Sequence, residues 1–219
     1  MSERQRRGRG ASGRPALKRG SGRSAALGRR VLWRTFLVGT GGLRIDGQLP
    51  ERPSVLIANH ASHADTAALL AAIPARRRPV VAAAADYWFA DPGKAMICRL
   101  LAGGFPVRRR GGGTGDLDGA LALLAAGHDV IIYAEGSRSR DGSIRDFRSG
   151  ALRLAQAAGA PLVPVGIAGT RHLLPVHGRL RPSRVTVRFG EPVADLRTAR
   201  TTVAELAMPP GQHRIGRRR

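Results

Sequence analysis

His60 and Asp65 stand five positions apart, directly after the apolar run Val55-Leu56-Ile57-Ala58 and Asn59. An imidazole paired with a carboxylate is what hydroxyl activation requires: the acid fixes one ring nitrogen and leaves the other free as a base. Within one straight α-helix, positions five apart point about 140° away from each other. The pair can therefore meet only if His60 lies in a strand-to-helix turn and Asp65 in the first helical turn. The residues allow this, because the apolar run ends at Ala58 and Asp65 precedes Ala67-Ala68-Leu69-Leu70. A second reading makes Asp65 a first-turn acid that complements the helix dipole, with His60 incidental. Ser62 is a poor nucleophile, since a spacing of two suits a Ser–His pair badly.

Two further stretches carry polar groups where an apolar run ends. Val130-Ile131-Ile132-Tyr133 leads into Ala134-Glu135-Gly136-Ser137-Arg138, which brings a carboxylate, a glycine and an arginine to the carboxyl end of a strand, where ligands of α/β sheets gather. Gly103-Gly104-Phe105-Pro106-Val107 leads into Arg108-Arg109-Arg110. Guanidinium groups placed there can grip a phosphate bidentately, and the same stretch also reads as a surface turn with solvated charges. Residues 111–115 lack the Gly-Lys-Ser/Thr ending of a nucleotide loop and read as a flexible linker. His63 is expected to point away from the site and to fill or cap the turn. The spacing of the remaining histidines suggests no zinc site, so no metal is expected.

The elements that must position these groups alternate along the chain. Strands are expected at Leu43–Asp46, Ser54–Ala58, Pro79–Ala85, Phe105–Val107, Val130–Tyr133, Leu162–Ile167 and Val185–Phe189. Helices are expected at Ser24–Val38, Thr66–Ile73, Ala95–Leu101, Asp116–Ala126 with Gly127 as its C-cap, and Ser149–Ala158. Short apolar strands alternating with helices argue for an α/β fold with a mostly parallel central sheet flanked by helices. The expected organisation is a disordered basic tail over 1–23, one domain over 24–208 and a basic tail over 209–219. Residues 24–38 form an amphipathic helix in this reading, suited either to an anionic membrane or to packing on the domain.

The formal charge is +22, with 37 basic against 15 acidic residues. Ten of the basic residues fall within 1–30, opposed only by Glu3, yet residues 31–210 keep a net +9. The folded part is thus basic too, and an anionic partner is implied. Cys98 is the sole cysteine, which excludes an intrachain disulfide and suits a reducing compartment. No apolar stretch approaches the roughly 20 residues needed to span a bilayer, and no cleavage site follows Val31–Gly39, so a cytoplasmic, peripheral protein is expected.

Taken together and in this order, the motifs resemble those of the glycerophosphate and lysophosphatidic acid acyltransferases. Asn59-His60 to Asp65 looks like that family's His-x4-Asp block, and Gly103 to Arg109 like its Gly-to-Arg block. Glu135-Gly136-Ser137-Arg138 looks like its Glu-Gly-Thr/Ser-Arg block, and Val163-Pro164-Val165 like its apolar-Pro-apolar block. Phe147-Arg148-Ser149-Gly150-Ala151 is similar to its Phe-x-x-Gly-Ala segment. The likeness covers about residues 25–195. Ser137 stands where Thr is commoner, and Arg108 where an acidic residue is frequent. The resemblance implies a glycerophosphate acyltransferase-like fold and transfer of an acyl group from a thioester donor, acyl-CoA or acyl-carrier protein, to the hydroxyl of a lysophospholipid acceptor. It implies His60 as general base oriented by Asp65. Arg109, Glu135, Gly136, Ser137 and Arg138 would bind substrate. No cofactor beyond the thioester co-substrate is implied.

The expected partners are therefore a lysophospholipid, an acyl thioester donor, the anionic inner face of the cell membrane and, for its acidity, acyl carrier protein. Two competing readings exist: a basic nucleic-acid-binding module, and a thioesterase using the same His–Asp pair. Nucleic acid is the weaker partner, because aromatics make up only 4% of the chain and no nucleic-acid-binding signature occurs.

Overall fold

A computed structural model describes residues 22–108, 114–139, 142–175 and 177–209. Arg109 and nearly all of both basic tails lie outside the described residues. Seven strands form one sheet: β1 (Leu43–Asp46), β2 (Val55–Ala58), β3 (Val80–Ala84), β4 (Gly104–Val107), β5 (Val130–Ile132), β6 (Leu162–Ala168) and β7 (Val185–Phe189). Their order is β1-β7-β6-β2-β5-β3-β4, and only the β6–β7 pairing is antiparallel. The central strand, β2, carries the first catalytic candidate at its carboxyl end.

Every residue of β2 is fully buried, as its uninterrupted apolar run requires. Alternation divides that strand between two cores. Leu56 and Ala58 point into one cluster with Leu69, Leu70 and Val163, while Val55 and Ile57 point into the other with Leu124, Leu154 and Ala199. The first core is covered by helices α1 (Arg23–Gly39) and α2 (Asp65–Ala72). The second lies under α5 (Thr114–Ala125), α6 (Gly150–Ala158) and α8 (Leu196–Leu206). Each fully buried Leu or Ile contributes about 1.5–3 kcal/mol.

Some elements depart from expectation. The third strand ends at Ala84, and Ala85 opens a short helix, α3 (Ala85–Trp88). The helix expected over Ala95–Leu101 starts earlier, at α4 (Pro92–Ile97), because Asp91 accepts the Lys94 N–H at 2.8 Å and Pro92 suits the first helical position. It then widens into a π-helical turn over Cys98–Ala102, closed by Gly103 at φ +63°. The glycine-rich linker is shorter than expected, since α5 takes in Thr114 and Gly115. A brief helix, α7 (Thr170–Leu173), follows β6. The expectation omitted α8 altogether. Its signals are present: Asp195 caps it through Thr198, and Leu196, Ala199 and Val203 recur at helical spacing.

Candidate active site

The site gathers at the carboxyl ends of β2 and β5. Asp65 is the first residue of α2 and is fully buried. Its Oδ2 accepts three hydrogen bonds, each at 2.8 Å, from His60 Nδ1 and from the backbone N–H groups of Ala61 and Ser62. One carboxylate oxygen thus organises the whole turn between strand and helix. The tautomer follows: with Nδ1 donating to Asp65, neutral His60 carries its lone pair on Nε2, which makes no hydrogen bond among the described residues. About 20% of the imidazole side chain is exposed.

Three further contacts hold the ring. Tyr133, the residue after β5, stacks on it with centroids 4.0 Å apart and planes 14° from parallel. The phenol is itself held by Thr66 Oγ1 at 2.9 Å, and burial followed by the nearby Asp65 charge pushes its pKa well above 10. Glu135 Oε1 accepts the His60 backbone N–H at 3.0 Å, and Ser139 donates its N–H to the His60 carbonyl at 2.7 Å. The imidazole is gripped by edge, face and backbone.

Asn59 serves the sheet. Its amide donates to the Ile167 carbonyl at 3.0 Å and accepts the Ile167 N–H at 2.8 Å, tying the end of β2 to β6. Ser62, fully buried, donates from Oγ to the Leu174 carbonyl at 2.6 Å and accepts the Ala64 N–H at 3.0 Å. Both of its hydrogen-bonding roles are filled, so the hydroxyl is structural.

Glu135 has its carboxylate occupied by the backbone: besides His60, Oε2 accepts the Arg145 N–H at 3.2 Å. Burial raises its pKa, against the pull of those two N–H groups. Gly136 sits at φ +75°, and a Cβ there would meet the Arg148 guanidinium at 2.8 Å. The positive φ is what favours glycine there, since the guanidinium is the end of a flexible side chain that can shift. Ser137 is exposed. Arg138 is brought to the same place as His60, and its guanidinium lies against the ring of His63. His63 therefore faces the arginine, where the expectation had it pointing away. Arg145 Nη2 donates to the Arg138 carbonyl at 2.7 Å and steadies that turn. Arg108 is held by Asp116, which accepts both its N–H and its Nε at 3.1 Å.

Tyr133, His63 and Arg145 were missed as site residues. Tyr133 carried a signal, as the residue ending the apolar run before Glu135. Among the described residues no group of three His, Cys, Asp or Glu could hold a metal ion. A hindered, aligned imidazole beside an arginine and a backbone-held acid suits proton transfer to and from a nearby oxygen.

The sequence model of the Acyltransferase family matches residues 43–168, from β1 to the end of β6 and across His60, Asp65, Tyr133, Glu135 and Arg138. The chain belongs to the acyltransferase family. A relative from Chlamydomonas reinhardtii, a 1-acyl-sn-glycerol-3-phosphate acyltransferase, is 31% identical over 63% of this chain and 41% of its own. The human 1-acyl-sn-glycerol-3-phosphate acyltransferase alpha is 32% identical over 53% of this chain and 41% of its own. This acyltransferase-family chain thus spans about two fifths of the length of those relatives. The crystal structure of the 1-acyl-sn-glycerophosphate acyltransferase PlsC from Thermotoga maritima superposes with a TM-score of 0.64 at 25% identity, covering 83% of this chain and 76% of that one.

Proposed function

We propose that this protein is a 1-acylglycerol-3-phosphate acyltransferase in which His60 is the general base. The observation that carries the reading is the 2.8 Å bond from His60 Nδ1 to Asp65, on a ring stacked over Tyr133, within a chain of the acyltransferase family. Nε2 takes the proton of the acceptor's free hydroxyl as that oxygen attacks the thioester carbonyl. The imidazolium so formed is stabilised by Asp65. The C–S bond then breaks, and Nε2 returns the proton to the departing thiolate. A positioned base of this kind contributes about 10²–10⁴-fold. Arg138 binds the acceptor's phosphate, joined by Arg109. Glu135 and Gly136 act on the substrate indirectly, by shaping the turn that carries His60 and Arg138. The donor is a polyanionic thioester, acyl-CoA or acyl-carrier protein, drawn by the chain's positive field.

The acceptor lies in a bilayer, and one side of the molecule suits that solvent. On α1, Leu27, Val31, Leu32 and Val38 are exposed, and on α4 and the π-turn so are Met96, Ile97, Leu100 and Leu101. Trp33 Nε1 donates to the Leu101 carbonyl at 2.8 Å and joins the two elements. Arg30, Arg34, Lys94 and Arg99 are interspersed, which fits the anionic inner face of a cell membrane. No helix among the described residues is long and apolar enough to cross a membrane.

The deciding experiment supplies purified protein with a labelled long-chain acyl-CoA and a panel of lyso-glycerolipids, beside His60→Ala. Ester should form on 1-acylglycerol-3-phosphate and fall by about three orders of magnitude in the variant. Thioester loss without any acceptor, at the same rate, would instead identify a thioesterase.

A further inference from the structure

His63 lies in the turn that joins β2 to α2, three residues after the proposed base, and the reaction above gives it no role. The backbone on both sides of it is fixed to the site. Ser62 donates its N–H to Asp65 Oδ2 at 2.8 Å, and Ser62 Oγ accepts the Ala64 N–H at 3.0 Å. The residue itself is exposed, so this clamp does not serve to bury it. Arg138 reaches the ring from the turn after β5, and that turn is fixed to the same place. Ser139 donates its N–H to the His60 carbonyl at 2.7 Å, and Arg145 Nη2 donates to the Arg138 carbonyl at 2.7 Å. Two turns joined through His60 thus bring one imidazole and one guanidinium into direct contact, with Arg138 Nη1 against both ring nitrogens of His63.

That contact suits one charge state only. A guanidinium offers nothing but N–H groups, so the imidazole can accept from it only while a ring nitrogen keeps its lone pair. His63 is held neutral accordingly. Its pKa is lowered from 6.5 by partial desolvation first, then by Arg138 and His60, with Asp65 opposing and His177 adding to the depression. These are the charged and titratable groups the ring meets: His60 and Asp65 from its own turn and α2, Arg138 from the turn after β5, and His177 from the segment after α7. Asp65 is committed to His60 and to two backbone N–H groups. Among the described residues neither His63 nor Arg138 has an ion-pair partner. Where the two side chains meet, beside His60 and at the surface, positive charge stands without an anion.

We propose that His63 is a second ligand for the acceptor's phosphate, closing on the anion together with Arg138 and taking up a proton from solvent as the anion binds. In the free protein the imidazole accepts from Arg138 in the phosphate's stead. A phosphomonoester replaces it: one oxygen accepts from Arg138 Nη1, and another accepts from the ring, which the anion's charge now favours in its protonated form. Charge-assisted hydrogen bonds thereby replace a contact between a cation and a neutral ring. The pair discriminates between headgroups, because a phosphomonoester with a second pKa of about 6 is mostly a dianion at neutral pH, whereas a phosphodiester brings a single charge. The inference rests on the acyltransferase reading for the identity of the ligand; the pairing of His63 with Arg138 rests on their contact.

Calorimetric titration with glycerol 3-phosphate tests the pairing without requiring turnover. At about pH 7.5, in buffers of different ionisation enthalpy, the wild type should take up a fraction of one proton per ligand bound. His63→Gln, which does not titrate, should bind about tenfold more weakly and without that uptake. His63→Lys carries a fixed charge. It should recover most of the affinity and still take up no proton, a result that a merely structural ring would not give. Dimethyl phosphate, a diester, should bind the wild type about tenfold more weakly than glycerol 3-phosphate, and the gap should narrow in His63→Gln. The residue is exposed, so both substitutions should leave the melting curve in place. The proposal is overturned by a wild type that does not bind glycerol 3-phosphate or binds it without proton uptake, by wild-type affinity in His63→Gln, or by a His63→Lys protein as weak as His63→Gln. The acceptor assay separates the two readings. Ester formation with an unchanged acceptor KM in both variants overturns the pairing alone, whereas proton-linked phosphate binding with no ester on any lyso-glycerolipid overturns the acyltransferase reading alone.

Discussion

Two carboxylates, Asp65 and Asp129, are both fully buried and stand at opposite ends of neighbouring strands, β2 and β5. Asp129 sits just before its strand and faces Arg77, also buried, so that charge is met by charge and both oxygens are used. Asp65 sits beyond its strand and faces an imidazole, and its Oδ1 has no hydrogen-bond partner among the described residues. A carboxylate committed to an arginine is a staple. One that holds a neutral imidazole by a single oxygen keeps capacity in reserve for the moment that imidazole becomes a cation. What separates structure from chemistry here is whether the partner changes charge.

Conservative substitution should pull the two apart. Asp65→Asn leaves the volume unchanged but presents either a weaker acceptor or an N–H to His60 Nδ1, and kcat for acyl transfer should fall by about 10²–10⁴-fold. Asp129→Asn should leave kcat of the folded protein within a few-fold of wild type. It should instead cost about 3–5 kcal/mol of stability, because Arg77 is left buried and uncompensated. Urea melts and single-substrate kinetics on both variants decide the matter. A folded Asp129→Asn protein with kcat reduced a hundredfold would abolish the distinction.

A smaller effect is expected at the apolar side. Leu100 is 61% exposed, so Leu100→Glu should leave the melting curve where it is. Partition onto anionic vesicles should drop about tenfold while transfer to a short-chain, water-soluble acceptor is kept. Equal loss of both activities would show that the residue supports the fold rather than the surface.

The His60–Asp65 half of this comparison was legible in the sequence and the Arg77–Asp129 half was not. The His60–Asp65 pairing follows from a strand that stops at Ala58 and a helix that starts at Asp65, both local signals. All seven strands were legible for the same reason, since each is a short apolar run with polar or glycine punctuation. The Arg77–Asp129 pair joins residues 52 apart, and the stacking of Tyr133 on His60 joins residues 73 apart. Such contacts depend on strand order, which the middle of the chain does not announce. Helix α8 was legible in principle, through Asp195 and its apolar spacing, and was passed over. Arg29 looked like one more surface charge on an amphipathic helix. Only the packing of α1 over Gly103 shows that it faces inward.

The least of the expected effects lies at the arginine-rich end and concerns pH. His128 is buried, and its pKa is lowered from 6.5 first by that burial and then by Arg78 and Arg29, against the opposing influence of the Arg78 carbonyl and Asp129. A histidine whose pKa is depressed on folding binds its proton more weakly in the native state than in the unfolded chain. Its contribution to stability is therefore intact above pH 6.5 and is lost as the pH falls from there through the native value. His128→Gln, which retains a donor for the Arg78 carbonyl, should flatten that acid limb by less than one proton, under about 1.4 kcal/mol per pH unit. Melting temperatures of both proteins between pH 5 and 8 measure the difference. An acid limb that keeps its full slope in His128→Gln would mean that other groups set it and that His128 contributes nothing to it.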